Sequence, residues 1–481
     1  MSSETNNLTR REFVKVAGIS ALSLAFPGCI ESLRQNKSER PNVLFISIDD
    51  LRPQLGCYGQ HYMITPNIDR LAKTGVLFNR AYCQVPVCGA SRASLLTGLR
   101  PTPDRFVDYD SRADKDAPGI TDLPMHFKQH GYRTISNGKI YHHKEDNQAS
   151  WDEIFRPPDF RQYQTRENLE SMKKFGKAAA YESPDVADNV LQGGKIADKV
   201  IRDLRQAKQS GRPAFITAGL TKPHLPFIAP KKYWDMYKRE DINLADNPFA
   251  PKNSPKQALH NWSELRNMYT NIPQTGPVSD DLARTLIHGY YACTTYTDAM
   301  IGNMLNELDR LDMRQETLIV LWGDNGWQLG EHGLWCKHAN FNTSLHVPLI
   351  FSVPGMSHDT KCNALVEFTD IYPTLCELAG LPMPSHLQGT SLVPHLKNPQ
   401  APGKEAVFAR YLKGDSIRTD RYLYTEWSNK GNVEARMLYD HHLDPAENIN
   451  ISEMPENKEL VAKLSRMLQS HCASIRVRLT I

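Results

Sequence analysis

Two short apolar runs, each ending abruptly in a pair of oxygen-bearing side chains, constrain the fold of this chain more than any other feature. Residues 42–48 (NVLFISI) lead directly into Asp49-Asp50, and residues 317–323 (TLIVLWG) lead directly into Asp324-Asn325. Runs of this length without polar alternation read as strands buried on both faces, the habit of parallel sheets covered by helices. Residues 133–136 and 214–218 belong to the same pattern, the first less regularly. Helical stretches lie between them, most clearly over about 281–311. There Leu282, Leu286, Tyr290, Cys293 and Thr297 recur every three to four positions, continued by Ile301, Met304, Leu305 and Leu308. The chain therefore reads as α/β, with a large domain over 41–395 built on a central, mostly parallel sheet. After a loop-like stretch near 396–404, residues 405–481 read as a small α+β domain. Strands are predicted there at 406–411 and 422–427, and an amphipathic helix at 457–471 with Leu460, Val461, Leu464, Met467 and Leu468 on one face.

In an open α/β sheet, ligands gather at the carboxyl ends of the strands. If the two acid-terminated strands are neighbours, Asp49, Asp50, Asp324 and Asn325 converge on one edge, an oxygen set suited to calcium or magnesium rather than zinc. Singly, each pair is commonplace, since Asp after a strand often caps a helix and Asp-Asn-Gly is a common turn. The next element is Cys88-Gly89-Ala90-Ser91-Arg92, followed by Ala93-Ser94-Leu95-Leu96-Thr97-Gly98. It reads as the first turn of a helix closed by a glycine. Cys88 and Arg92 then share a face one turn apart, where the helix N-terminus and a guanidinium both favour an anion. A lone cysteine is otherwise a small buried hydrophobe. Composition removes other classes. The formal net charge is +3 and no long basic run exists, which excludes a dedicated nucleic-acid binder. The nine cysteines form no CxxC pair and are odd in number, so neither a zinc framework nor a full disulfide set is indicated.

The Cys88 run with its Leu-Leu-Thr-Gly tail resembles the signature of the type I sulfatases, with Ala90 where the commonest form has proline. The resemblance implies an alkaline phosphatase-like fold and oxidation of Cys88 to formylglycine by a dedicated maturase. Asp49, Asp50, Asp324 and Asn325 match the family's ligands for one calcium ion, with the modified Cys88 completing the set. Gly138-Lys139-Ile140-Tyr141-His142 matches its Lys and His pair, Thr221-Lys222-Pro223-His224 its second histidine, and Gly333-Leu334-Trp335-Cys336-Lys337 its second lysine. Residues 340–348, 370–375 and 387–392 also fit, so the resemblance runs from about residue 41 to the end. It implies that calcium activates an oxygen of the hydrated aldehyde for attack on sulfur. Arg92, Lys139 and Lys337 would surround the sulfuryl oxygens. His224, helped by Lys337, would protonate the departing sugar oxygen, and His142 would take a proton as the intermediate collapses.

Within the family these blocks look most like the iduronate-2-sulfatase group. The implied substrate is a sulfated polysaccharide or oligosaccharide, with a 2-O-sulfated uronate favoured. Its carboxylate is expected to meet Lys222, Arg418 or Arg421. Two alternatives stand beside this reading. One is a phosphodiesterase or phosphomonoesterase of the alkaline phosphatase superfamily, which would show a second, His- and Asp-rich metal site. The other is an exported glycan-binding protein that keeps the fold without the activity.

Residues 1–29 read as an export signal. Arg10 and Arg11 precede an apolar stretch at 16–26 that is too short to cross a bilayer and resembles a twin-arginine signal. A polar linker follows over 30–40. Cys29 is a weak match to a lipoprotein site. The expectation is a periplasmic or cell-surface protein exported by the twin-arginine machinery.

Overall fold

The computed structural model describes residues 40–157, 162–429 and 431–477. The expected export signal, Cys29 and the linker up to residue 39 lie outside the described residues. The two acid-terminated runs are adjacent strands. Asn42–Ile48 pairs in parallel with Thr317–Gly323 on one side and with Ala214–Leu220 on the other. Outward from Ala214–Leu220 come Arg133–Asn137 and Glu153–Phe155, both parallel. Outward from Thr317–Gly323 come His346–Ser352, then Val76–Tyr82, which also carries Thr360–Cys362 and Val366–Glu367. Among the described residues His346–Ser352 is the one antiparallel member of this nine-stranded sheet.

The strands are apolar at almost every position because both faces are covered. Successive side chains alternate between the faces. Leu44, Ile46, Ile48, Ile216, Ile319 and Leu321 pack on the side of helices Gln192–Ser210 and Asp280–Arg310. Val43, Phe45, Phe215, Val320 and Trp322 pack on the side of helices Cys88–Thr97, Leu123–Gln129 and Ile371–Leu378. Helix Asp280–Arg310 matches the predicted periodicity and begins where Ser279 accepts the Leu282 N–H.

The C-terminal region is a four-stranded antiparallel meander of Ala406–Tyr411, Gly414–Thr419, Tyr422–Asn429 and Asn432–Asp440, with helix Lys458–Val477 against it. Two of these strands were not anticipated. Gly414–Thr419 (GDSIRT) has no apolar run, yet Ile417 fills a small core with Ala406, Tyr424, Leu438, Leu464 and Leu468. The meander is stapled to the large sheet through Glu367, whose carboxylate accepts from Arg100, Lys404 and the Phe408 N–H at 2.6–2.9 Å. Despite its burial, those two cations hold Glu367 well below the usual carboxylate range. Among the described residues no helix is long and apolar enough to cross a membrane.

One close approach links the fold to the functional edge. The loop after Arg133–Asn137 passes over the end of Ala214–Leu220, with the Lys139 N–H donating to the Gly219 carbonyl at 2.9 Å. A Cβ on Gly219 would lie 2.3 Å from the Lys139 carbonyl oxygen and 2.5 Å from its nitrogen. Gly219→Ala must therefore push this loop outward. We expect a loss of about 1–3 kcal/mol in denaturant unfolding, as for other overpacked cores, together with a fall in any activity that depends on Lys139.

Candidate active site

The register of the sheet builds the site. Asp49 and Asp324 leave their strands side by side, the Asp324 N–H donating to the Ile48 carbonyl and the Asp49 N–H to the Leu220 carbonyl. Asp50 then adopts a left-handed backbone, φ 58°, which Asp tolerates better than most residues. Its N–H donates to Asp324 Oδ1 at 2.9 Å and its carbonyl accepts from the Tyr290 hydroxyl at 2.8 Å. With the turn fixed at both ends, two consecutive acids serve one site.

Helix Cys88–Thr97 is buried along its whole length and ends at Gly98 in the left-handed conformation. Its first turn faces the acids. Cys88 Sγ lies 3.6 Å from Asp50 Oδ1, and the Ser91 hydroxyl donates to the Asp324 carbonyl at 2.6 Å. Arg92 is wholly buried beneath them. Its Nε donates to Asp324 Oδ2 (2.8 Å) and its Nη2 to Asp49 Oδ1 (3.1 Å). Its Nη1 donates to Ser47 Oγ and to the carbonyls of Lys139 and Ile140. This corrects one expectation. Arg92 has almost every N–H committed to the protein, so it positions two acids rather than reaching for sulfuryl oxygens.

Ligand atoms of Asp49, Asp50, Cys88 and Asp324 all lie within 4.8 Å of one another. Asn325 donates its amide nitrogen to Asp50 Oδ1 at 2.8 Å, while its Oδ1 is buried with no hydrogen-bond partner. Three carboxylates and an orphaned amide oxygen form a donor set that fits a hard divalent cation. The electrostatics agree. Burial, with Asp49 and Asp50 adding to it against Arg92, pushes Asp324 up to about 7. Asp49 goes the other way. Although burial opposes ionisation, Lys139, His224 and Arg92 hold its carboxyl well below the usual range.

The predicted cations and histidines surround this centre. Lys139 Nζ donates to Asp49 Oδ2 at 2.7 Å, and Lys337 Nζ to Asp50 Oδ2 at 2.9 Å while lying over the Trp327 ring. His142 is pushed down to about 2 by burial and by Lys139, so its ring is neutral, and its Nδ1 is buried without a partner. His224 Nδ1 lies 2.6 Å from the Leu225 carbonyl, and its Nε2 lies 3.7 Å from Asp50.

Three predicted substrate-binding residues are not brought to this centre. Lys222 donates to the carbonyls of His224 and Pro226, bracing the loop that carries His224. Arg418 donates to the Tyr82 hydroxyl and to the carbonyls of Thr419 and Asp420. Arg421 pairs with Asp440. Each already has partners within the fold, so none is placed as the cation for a substrate carboxylate. One site residue was missed. Glu264, on helix Ser263–Met268, bonds Lys337 and His224. It follows no strand and belongs to no recognisable motif, so the sequence carries no signal for it.

A family model described as sulfatase matches residues 41–381, and a second, described as N-sulphoglucosamine sulphohydrolase, C-terminal, matches residues 330–474. The chain is similar to iduronate 2-sulfatase of Homo sapiens, 32% identical over 88% of this chain and 92% of that protein. Among solved structures it is similar to one described as in complex with its substrate D-glucosamine-2-N,6-O-disulfate. The TM-score is 0.74 at 22% identity, covering 91% of this chain and 98% of that one. It is equally similar to the phosphonate monoester hydrolase of Agrobacterium radiobacter, with TM-score 0.74 at 23% identity over 91% and 96% of the two chains. The shared fold is the alkaline phosphatase-like one.

The raised Asp324 carboxyl generates a pH prediction. In the metal-free protein Asp324 keeps a proton between about pH 4 and 7 that the unfolded chain has lost, so its contribution to stability falls as pH rises through that window. A divalent cation replaces that proton and competes with it less as pH rises. Calcium should therefore raise Tm more at pH 8 than at pH 5, by several degrees in thermal melts. A calcium shift independent of pH would contradict the ligand assignment of Asp324.

Proposed function

The chain belongs to the sulfatase family, and we propose that it removes sulfate from a sulfated saccharide using a formylglycine made from Cys88 beside a bound calcium ion. The observation that carries this reading is the setting of Cys88. It heads a buried helix, touches Asp50, and has Lys139 and Lys337 close by. Burial and Asp324 push its thiol well above the ordinary range, as for a cysteine held inert until it is modified. A cysteine so placed is better explained as the precursor of an aldehyde.

Asp49, Asp50, Asp324 and Asn325 would hold the cation. Together the cation and the aldehyde hydrate would supply an activated oxygen nucleophile. The chain's own residues do the rest. Lys139 and Lys337 stand on either side of the acids, where their ammonium groups can hold the sulfuryl oxygens. His224, helped by Lys337, is the donor of a proton to the leaving oxygen; Lys337 keeps an N–H beyond those it gives Asp50 and Glu264, so the proton reaches that oxygen through the pair. His142, neutral and with a lone pair unused, is the acceptor of a proton in the collapse step. Arg92 fixes Asp49 and Asp324.

Two observations favour this reading over hydrolysis of a phosphate ester. Among the described residues, the other groups that could hold a metal, Asp49–Cys88–His224 and Asp50–His224–Glu264, each share an acid with the first cluster and contribute a single histidine, short of a second His- and Asp-rich site. The remaining positions around the centre are lysines and histidines, with Glu264 behind Lys337 and His224. For the substrate, the likeness to iduronate 2-sulfatase supports a 2-O-sulfated uronate. The cation for its carboxylate is then Arg156, which sits beside His142 and, among the described residues, donates to the carbonyls of Tyr141 and His142 with no carboxylate partner. On the same reading the protein is exported by the twin-arginine machinery and matured on Cys88 by a formylglycine-generating enzyme.

Peptide mass spectrometry across Cys88 in protein from its native host should find an aldehyde in place of the thiol. Cys88→Ala should lower sulfate release roughly 10³-fold or more without shifting the melting transition, since the nucleophile is absent. Near-native turnover in that variant would refute the reading. A panel of 2-O-sulfated uronate disaccharides, 6-O-sulfated hexosamines and sulfated galactans addresses the substrate. We expect the uronates to be preferred, and Arg156→Ala to raise KM for them about tenfold through loss of a charge-assisted pair. Preference for another class would reject the uronate assignment and leave the sulfatase assignment standing.

A further inference from the structure

Glu264 stands apart from the other site residues because no strand end delivers it. It comes from a segment folded over the site, locked by its own contacts. Trp262 takes a left-handed backbone, φ 48°, and its N–H donates to His260 Nδ1 at 3.0 Å. The Arg266 guanidinium lies 3.5 Å from the centroid of the Trp262 ring and donates to the carbonyls of Asn261 and Gly276. Leu265 is buried beneath. This places the Glu264 carboxylate against Lys337 and His224, next to Asp50 at the rim of the acid cluster.

Its partners are specific. Lys337 Nζ lies 3.0 and 2.9 Å from its two oxygens, and His224 Nε2 lies 3.2 Å from Oε1. The same two side chains also approach Asp50 Oδ2, at 2.9 and 3.7 Å. Asp50 and Glu264 therefore both bear on Lys337 Nζ and His224 Nε2, with ligand atoms of Asp50, His224 and Glu264 within 4.8 Å of one another. The His224 ring cannot turn without losing a contact, because its Nδ1 faces the Leu225 carbonyl at 2.6 Å. Truncating Glu264 would remove one of the two carboxylates on Lys337 and the shorter of the two carboxylate contacts of His224 Nε2.

We propose that Glu264 is the positioning residue of the leaving-group end, fixing His224 and Lys337 relative to the departing oxygen. This rests on the sulfate-ester reading above. It acts through those two residues and touches no bond that is made or broken. Its contribution should therefore grow with the basicity of the leaving oxygen. An aryl oxide such as 4-nitrophenolate departs with little help, whereas a sugar alkoxide needs a proton delivered as the S–O bond breaks.

The test compares the wild type with Glu264→Gln and Glu264→Asp on 4-nitrophenyl sulfate, on unsubstituted phenyl sulfate and on a sulfated saccharide. Positioned proton donors contribute about 10²–10⁴-fold, so Glu264→Gln should lower kcat on the saccharide roughly 10²-fold. On 4-nitrophenyl sulfate the loss should be about tenfold smaller, what remains being the looser hold of Lys337 on the sulfuryl oxygens, with phenyl sulfate between. Glu264→Asp should recover part of the saccharide activity, and thermal melts should match the wild type. Equal losses on all three esters, or no loss on any, would overturn the positioning role and leave the sulfatase reading intact. A wild type that hydrolyses none of the esters would instead overturn the functional reading, and this proposal with it.

Discussion

Three carboxylates of like charge packed into one buried edge are the constraint on which the rest of this structure depends. Asp49, Asp50 and Asp324 are essentially inaccessible to water, and buried charge is costly unless it is paired. The fold answers with Arg92 from below, Lys139 and Lys337 from the flanks, and hydrogen bonds from Asn325 and the Asp50 N–H. Compensation is incomplete, as the raised Asp324 carboxyl indicates. A site left short of positive charge, with an amide oxygen unused, is organised to receive a cation.

The helix carrying Cys88 is subordinate to the same constraint. Arg92 and Ser91 tie its first turn to Asp324, which brings Cys88 against Asp50. One residue type thus has two duties. The guanidinium neutralises the acids, and through its rigid fork it sets the distance between them and the reactive position. Lysine could not replace it, since a single ammonium cannot bond two acids and two main-chain carbonyls in fixed directions.

The opposite side of the site is built differently. Lys337 follows a short hairpin, His224 a loop braced by Lys222, and Glu264 an inserted helix. None of these is part of the central sheet. The small C-terminal sheet adds no cation of its own through Arg418 or Arg421, and is joined to the large sheet by the Glu367 staple. The acid cluster is thus a property of the fold, while the side carrying Lys337, His224 and Glu264 belongs to loops that can vary over a constant sheet.

By itself the sequence determined the two central strands, the acids at their ends, the long helix over 281–311 and the Cys88 turn. Each is a local pattern, an apolar run or a spacing, and strand ends in a parallel sheet have one chemically active side. The lysine and histidine blocks became legible by resemblance, because they recur in fixed order along the chain. Tertiary structure alone decided what each charge meets. Lys222, Arg418 and Arg421 have the composition of an anion site, but their partners are carbonyls, a hydroxyl and Asp440, which come from residues no spacing rule connects to them. Arg92 turned from a substrate contact into a buried positioning group for the same reason. Glu264 was invisible because a lone acid between Ser263 and Leu265 has no pattern. Its meaning arises only when a residue 73 positions from Lys337 in sequence folds to within 3.0 Å of it.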